Sequence, residues 1–244
     1  MELEKEQTLP QTARREYTYL FLAGIFITSL VMGNIIGTTK FVSLFAFEIP
    51  NWMMSLVPSL VQNEGIYKMI VPVGVLVYPV TFLATDLLSE LYGAKRTQRV
   101  VWTGFFMNFF MLAGMSIGHF LPDASGVSGA TSSFEAVYDF MIGNTLASMI
   151  AYLTAQTIDV RLFHFWKKLT EGKHLWLRNN GSTMVSQLID SIAILSILYL
   201  AGNLGDAVTG IGDLTILIIN SYLFKFLFAV LDTPIFYKAT RYFK

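Results

Sequence analysis

Six stretches of this chain are apolar for about 20 residues or more, and nothing constrains its fold more tightly, because a helix of that length crosses the hydrocarbon core of a bilayer. They cover approximately residues 18–43, 69–92, 99–121, 133–165, 180–202 and 212–238. Of all 244 residues 54% are hydrophobic and only 14% charged, a balance too greasy for an ordinary soluble domain. The expected fold class is therefore all-α: a polytopic membrane protein, a bundle of six transmembrane helices held in a lipid bilayer. Residues 1–17 read as a cytoplasmic tail and 18–244 as a single transmembrane domain. The first apolar run follows a Glu-rich start, outlasts a signal-peptide core and shows no small-residue cleavage site, so it reads as a retained helix. Residues 44–68, "LFAFEIPNWMMSLVPSLVQNEGIYK", hold two prolines and no clean period, and read as an interfacial or external loop carrying Trp52.

Orientation follows from the basic residues, which are retained on the cytoplasmic side of span ends. Lys5, Arg14 and Arg15 precede the first span, and Lys95, Arg96 and Arg99 follow the second. Lys167, Lys168, Lys173 and Arg178 follow the fourth, and Lys238, Arg241 and Lys244 end the chain. The alternate connections carry mainly acids: Glu48, Glu64, Asp123, Asp206 and Asp213, with Lys68 the exception. Both termini are thus expected in the cytoplasm. The absence of cysteine excludes disulfides, thiol nucleophiles and cysteine metal sites. A formal charge of zero leaves no basic field for nucleic acid.

The polar residues inside the spans carry the functional information. A carboxylate at mid-bilayer costs about 2.5–3.5 kcal/mol on insertion scales, so buried acids face a bundle interior or a watery cavity. Asp86 and Glu90 stand at i and i+4, Gln156 and Asp159 at i and i+3, and Gln187 and Asp190 at i and i+3, each pair on one helical face. The first span adds Asn34 and Lys40, and the last adds Asn220, Lys225 and Asp232. Structural readings compete with functional ones. Glu90 lies beside the basic loop, where Lys95 or Arg96 can pair with it, and Asp159 can cap its span near Arg161 and Lys168. Lys225, in "SYLFKFLFAV", is too deep to snorkel and requires an anionic partner, with Asp86, Asp190 and Asp232 the candidates. His119, His164 and His174 lack metal-ligand spacing, so no metal or cofactor is expected. Gly33 and Gly37 in "GNIIG" form a small-xxx-small step suited to close packing.

The blocks "YPVTFLATDLLSELYGAKRTQR", "QTIDVRLFHFWKKLTEGKHLWLRNNGSTMVSQLIDS" and "YLFKFLFAVLDTPIFY" closely resemble those of the queuosine precursor transporter family, within the vitamin uptake transporter group. The resemblance runs from about residue 28 to 238, in matching order and span count. It implies a transporter of the cytoplasmic (inner) membrane that imports 7-deazaguanine bases, such as 7-cyano- and 7-aminomethyl-7-deazaguanine, and in some members queuine, for tRNA modification. The residues suit that chemistry. Such a base presents N1–H and an exocyclic amine side by side, and one carboxylate accepts both. Its O6 and N3 need donors, which Asn34, Gln156, Gln187, Asn220 and Lys225 supply, while Tyr78, Phe82, Phe224 or Phe228 offer flat walls. The candidate substrate site is thus Asn34, Asp86, Glu90, Gln156, Asp159, Gln187, Asp190, Asn220, Lys225 and Asp232.

Two rival classes remain open at this stage. "GIGD" at 210–213, with Tyr138-Asp139 as a second acid, matches the short pattern of intramembrane aspartyl proteases, although both acids fall near outer span ends. The substrate-binding subunit of an energy-coupling-factor importer is the other. The chain has no phosphate-binding loop, so ATP dependence would require energy-coupling subunits as partners. A homo-oligomer and a proton-coupled carrier are equally open.

Overall fold

The computed structural model describes residues 2–37, 39–52, 62, 63, 65–124, 131–205, 208 and 210–243, with side chains from residue 13 onward except at 62 and 63. Glu64, Asp206, Lys244 and the side chain of Lys5, used above for orientation, lie outside the described residues, as does the loop stretch 53–61. Helix α1 runs unbroken over Glu2–Ile36, so the expected tail and first span form one rod. Strands β1 (Phe41–Glu48), β2 (Gln62–Asn63) and β3 (Ile66–Pro72) follow, then a 3-10 segment (Val73–Val77). Next come α2 (Tyr78–Tyr92), α3 (Ala94–Phe120), α4 (Thr131–Leu169), α5 (Leu175–Leu200), α6 (Ile211–Leu231) and α7 (Thr233–Phe243).

The protein is a predominantly helical membrane protein. Among the described residues, five helical segments are long and apolar enough to cross a bilayer: Ala13–Ile36, Val73–Tyr92, Ala94–Phe120, Leu175–Leu200 and Ile211–Leu231. α4 is longer, at 39 residues, but its inner face is polar, with Asn144, Thr145, Ser148, Gln156 and Asp159 all buried. Helix α3 shows how the apolar surface is divided. Thr97, Val100, Val101, Gly104 and Asn108 recur at helical spacing and are buried, while Phe106, Phe109 and Phe110 are exposed as a lipid-facing stripe does. The core joins Phe26 and Leu30 of α1, Leu87 and Leu88 of α2, Val101 of α3 and Tyr152 and Phe163 of α4. Gly93, at φ 80°, lets α2 stop and α3 start within one residue, a backbone that side chains with a Cβ rarely adopt.

Three expectations are corrected. The first span does not reach residue 43: α1 ends at Ile36, and Lys40 lies beyond it, exposed. Residues 41–48 and 66–72 are not loop and helix but antiparallel strands, Phe41 opposite Pro72 and Glu48 opposite Ile66, in a sheet ordered β1-β3-β2. The alternation of Val, Phe, Ile and Tyr there favours a pleated strand, and Pro72 ends it. The all-α class therefore holds for the bundle but not for this hairpin. Finally, the last span breaks at Asp232, after which Pro234 starts the separate helix α7, whose Phe236 is buried while Ile235 and Tyr242 stay exposed.

Candidate functional site

The hairpin is where the bundle becomes unusual. Tyr67 donates its hydroxyl to Asn220 Oδ1 at 2.6 Å, and Asn220 Nδ2 donates to the carbonyl of Ile70 at 3.4 Å, so β3 is drawn against α6. Val71, Val75 and Phe224 pack together behind them. Gly74 then brings the 3-10 segment onto α1: a Cβ there would stand 2.8 Å from Gly37 Cα and 2.9 Å from the Gly33 carbonyl. The "GNIIG" step does serve close packing, against this segment. Irregular backbone at membrane depth is tolerated where protein buries it or where it lines a cavity, and broken helices are where transporters place their ligands.

Two small chambers lie at this break. Gly33, Asn34, Tyr78, Ser191, Ser221 and Lys225 help line one. Ser29, Tyr78, Phe82, Tyr152, Gln156 and Asp190 help line the other, and Gly33, Asn34 and Tyr78 belong to both. A water's centre has about 30 Å³ to occupy in the first and about 10 Å³ in the second. Between them Lys225 Nζ donates to Asp190 Oδ2 at 2.6 Å, the two side chains being 2% and 1% exposed. The ammonium also lies 4.2 Å from the Tyr78 ring centroid. Of the three partners expected for Lys225, the fold selects Asp190. The amide oxygens of Gln156 and Gln187 and the hydroxyls of Ser191 and Ser221 are buried without a hydrogen-bond partner. Such orphans are costly unless a ligand or water completes them.

From the chambers a polar column continues through the bundle. Tyr78, Phe82, Asp86 and Glu90 repeat every four residues down one face of α2, and Asn144, Ser148, Tyr152 and Gln156 do the same on α4. One level below Asp190, Thr183 Oγ1 donates to Asp86 Oδ2 at 3.1 Å and Ser186 Oγ donates to Asp159 Oδ1 at 2.9 Å. Asp86 and Asp159 come within hydrogen-bonding reach of each other, and the second oxygen of each, Oδ1 and Oδ2 respectively, has no donor. Neither lines the chambers. At the basic end, Glu90 Oε2 meets Lys167 at 2.9 Å and Glu90 Oε1 meets Arg178 at 2.9 Å, in place of the expected Lys95 or Arg96. Arg178 also donates to the Gly172 carbonyl at 2.6 Å.

Of the remaining candidates, Asn34 and Asn220 are already engaged, while Asp232 stands near Asp86. Asn34 accepts from Ser148 and donates to Asn108, both at 2.6 Å, so its amide is largely committed to holding α1, α3 and α4 together. Asn220 holds the hairpin. Asp232 sits at the α6–α7 junction with a buried, unpartnered Oδ1. Phe224 supports the hairpin and Phe228 is 37% exposed, so of the expected walls only Tyr78 and Phe82 face the chambers. Among the described residues no cluster of side chains could hold a metal ion. His119 instead pairs with Glu135 and stacks on Tyr138. The protease reading loses its geometry, since Asp139 is exposed while Asp213 is buried in the first turn of α6.

Thr183, Ser186, Ser148, Asn108 and Tyr67 were not anticipated. A signal existed for some: hydroxyls at 183 and 186 share the helical spacing of Gln187 and Asp190, and Asn108 is the lone amide in the run "FFMNFFM". Tyr67 offered none, because its role depends on a strand.

Curated relatives align with most of the chain. A "Probable queuosine precursor transporter" of Bacillus subtilis (strain 168) is 29% identical over 185 residues, 74% of this chain and 76% of the relative. The "Queuosine precursor transporter" of Escherichia coli (strain K12) is 26% identical over 155 residues, 60% of this chain and 67% of the relative. No solved structure matches. Residues 72–239, well over half the chain, match the family described as "Putative vitamin uptake transporter", and the chain belongs to that family.

Proposed function

We propose that the protein imports queuosine precursors, 7-deazaguanine bases such as the 7-cyano and 7-aminomethyl forms, across the cytoplasmic (inner) membrane for salvage into tRNA. The observation that carries this reading is the buried Asp190–Lys225 pair, held at 2.6 Å beside the chambers. The recognition edge of such a base runs acceptor, donor, donor: O6, N1–H and the exocyclic amine. An ammonium next to a carboxylate is its complement, with Lys225 meeting O6 and Asp190 accepting from N1–H and the amine. Tyr78 and Phe82 flank the ring, and the Gln156 amide, whose oxygen has no donor, completes the remaining ring edge. The names of the curated relatives support the same substrate class.

The chambers as they stand have room for water and not for a bicyclic base, so loading requires them to merge across the wall they share, formed by Gly33, Asn34 and Tyr78. In the bilayer we place six spans, with α4 as the fourth and both termini in the cytoplasm. Contacts that gather the basic residues at one end support that orientation: Arg96 with Glu16, Arg15 with the Leu91 carbonyl, Arg14 over Tyr242 and Lys167 with Glu90.

The test is uptake by cells unable to make queuosine, supplied with each precursor in turn and scored by queuosine in tRNA. Expression of the chain should restore the modified nucleoside from at least one 7-deazaguanine. Protein present in the membrane with no restoration from any of them refutes the substrate class.

A further inference from the structure

We propose that Asp86 and Asp159 form a proton-carrying pair that couples base import to the transmembrane proton gradient. The inference rests on the transport reading above and adds its energy source. It starts from an arrangement that the substrate chemistry leaves unused. Two carboxyl groups from α2 and α4 are 2% and 1% exposed and lie within hydrogen-bonding reach of each other; the hydroxyls of Thr183 and Ser186, on successive turns of α5, donate to them, and each keeps one oxygen without a hydrogen-bond partner. Two charges so placed repel, and a single proton between the free oxygens replaces that repulsion with a hydrogen bond.

Among the described residues no cation stands against the pair, and the further hydroxyl beside it is that of Ser182, near Asp159. On α4 and α5, Lys167 and Arg178 are taken by Glu90, and His164 lies beside that group rather than the pair. Lys225 of α6 is taken by Asp190, and Arg96 of α3 by Glu16 of α1. From the α6–α7 junction Asp232 adds a further acid near Asp86. The site therefore holds its charge with protons. Its place in the column also suits the role: its α5 partners Ser186 and Thr183 lie one and two turns from Asp190, and Asp86 lies one turn from Glu90 along α2, between the base site and the basic end.

The cycle balances with O–H bonds alone. In the resting pair one proton is shared. A second, from the external solution, forms an O–H bond on the remaining carboxylate oxygen as the base loads. That bond breaks toward the cytoplasm as the base leaves, returning the pair to one shared proton. One proton enters per base, with no nucleotide hydrolysed.

Purified protein in liposomes tests this with a labelled 7-deazaguanine base and a pH-sensitive dye inside. Wild type should accumulate base when the outside is acidic, about tenfold for one pH unit at one proton per base. The lumen should acidify on adding base, and a protonophore should abolish accumulation. Asp86→Asn and Asp159→Asn should keep counterflow exchange of labelled for unlabelled base while losing gradient-driven accumulation. Counterflow by wild type with accumulation indifferent to the gradient overturns the coupling and leaves the substrate reading standing, even if the variants fail to fold. Gradient-driven accumulation by either variant at the wild-type level overturns the role of the pair. Absence of wild-type counterflow overturns the substrate reading and this inference with it.

Discussion

Replacing Asp190 by Asn, alone and together with Lys225→Met, separates what this ion pair does for folding from what it does for the base. The pair is 1% and 2% exposed at 2.6 Å, so Asp190→Asn strands an ammonium with no counter-charge. Breaking one side of a buried pair costs about 3–5 kcal/mol. For a chain of this size about 2–4 °C of melting temperature goes with each kcal/mol, so the midpoint should fall by about 6–20 °C. Adding Lys225→Met removes the stranded charge, and much of that loss should return. Binding should not return with it. The amide accepts poorly from N1–H and the exocyclic amine together, and each charge-assisted hydrogen bond is worth about 1.5–3 kcal/mol, roughly 10- to 150-fold in affinity. The assay is thermal unfolding of detergent-purified protein followed by calorimetric titration with base, alongside uptake in cells. A double variant that is abundant, stable and transports at the wild-type rate would refute the binding role of both residues and leave the pair purely structural.

Three further outcomes are expected. Reporter tags at the N- and C-termini should both read out from the cytoplasm, and an external C-terminal signal would require an odd number of spans. Glu90→Gln removes the charge that pairs with both Lys167 and Arg178, so stability should fall by about 3 kcal/mol or more while recovered protein binds base normally; a lost affinity with unchanged melting would move Glu90 into the site. Gly37→Ala puts a methyl into the Asn144 amide and should cost about 1–3 kcal/mol by overpacking, read as reduced membrane abundance, with Asn144→Ala in the same chain recovering part of it.

Much of this architecture was legible because helical periodicity is local. The spacing of Asp86 and Glu90, of Gln156 and Asp159 and of Gln187 and Asp190 places each pair on one face whatever the neighbours do, and all six residues are buried. The lipid-facing aromatics of α3 follow from the same period. The hairpin at Phe41–Pro72 was misread because a short apolar run looks alike as strand and helix, and strand pairing joins residues from 18 apart (Glu48 with Ile66) to 31 apart (Phe41 with Pro72), which local pattern cannot relate.

Length, apolarity and the intolerance of lipid for unpaired charge are properties of each segment alone, so local sequence dictated a membrane-spanning bundle with a polar interior. It also required Lys225 to find a buried acid. Which acid was a matter for the tertiary structure. Lys225 takes Asp190, 35 residues away, Glu90 takes Lys167 and Arg178 rather than its near neighbours, and Asp86 is left facing Asp159. Each choice depends on how far neighbouring helices are rotated and slid past one another. That offset is set by contacts such as Gly74 against Gly33 and Gly37, where the absence of a Cβ decides how closely two backbones approach.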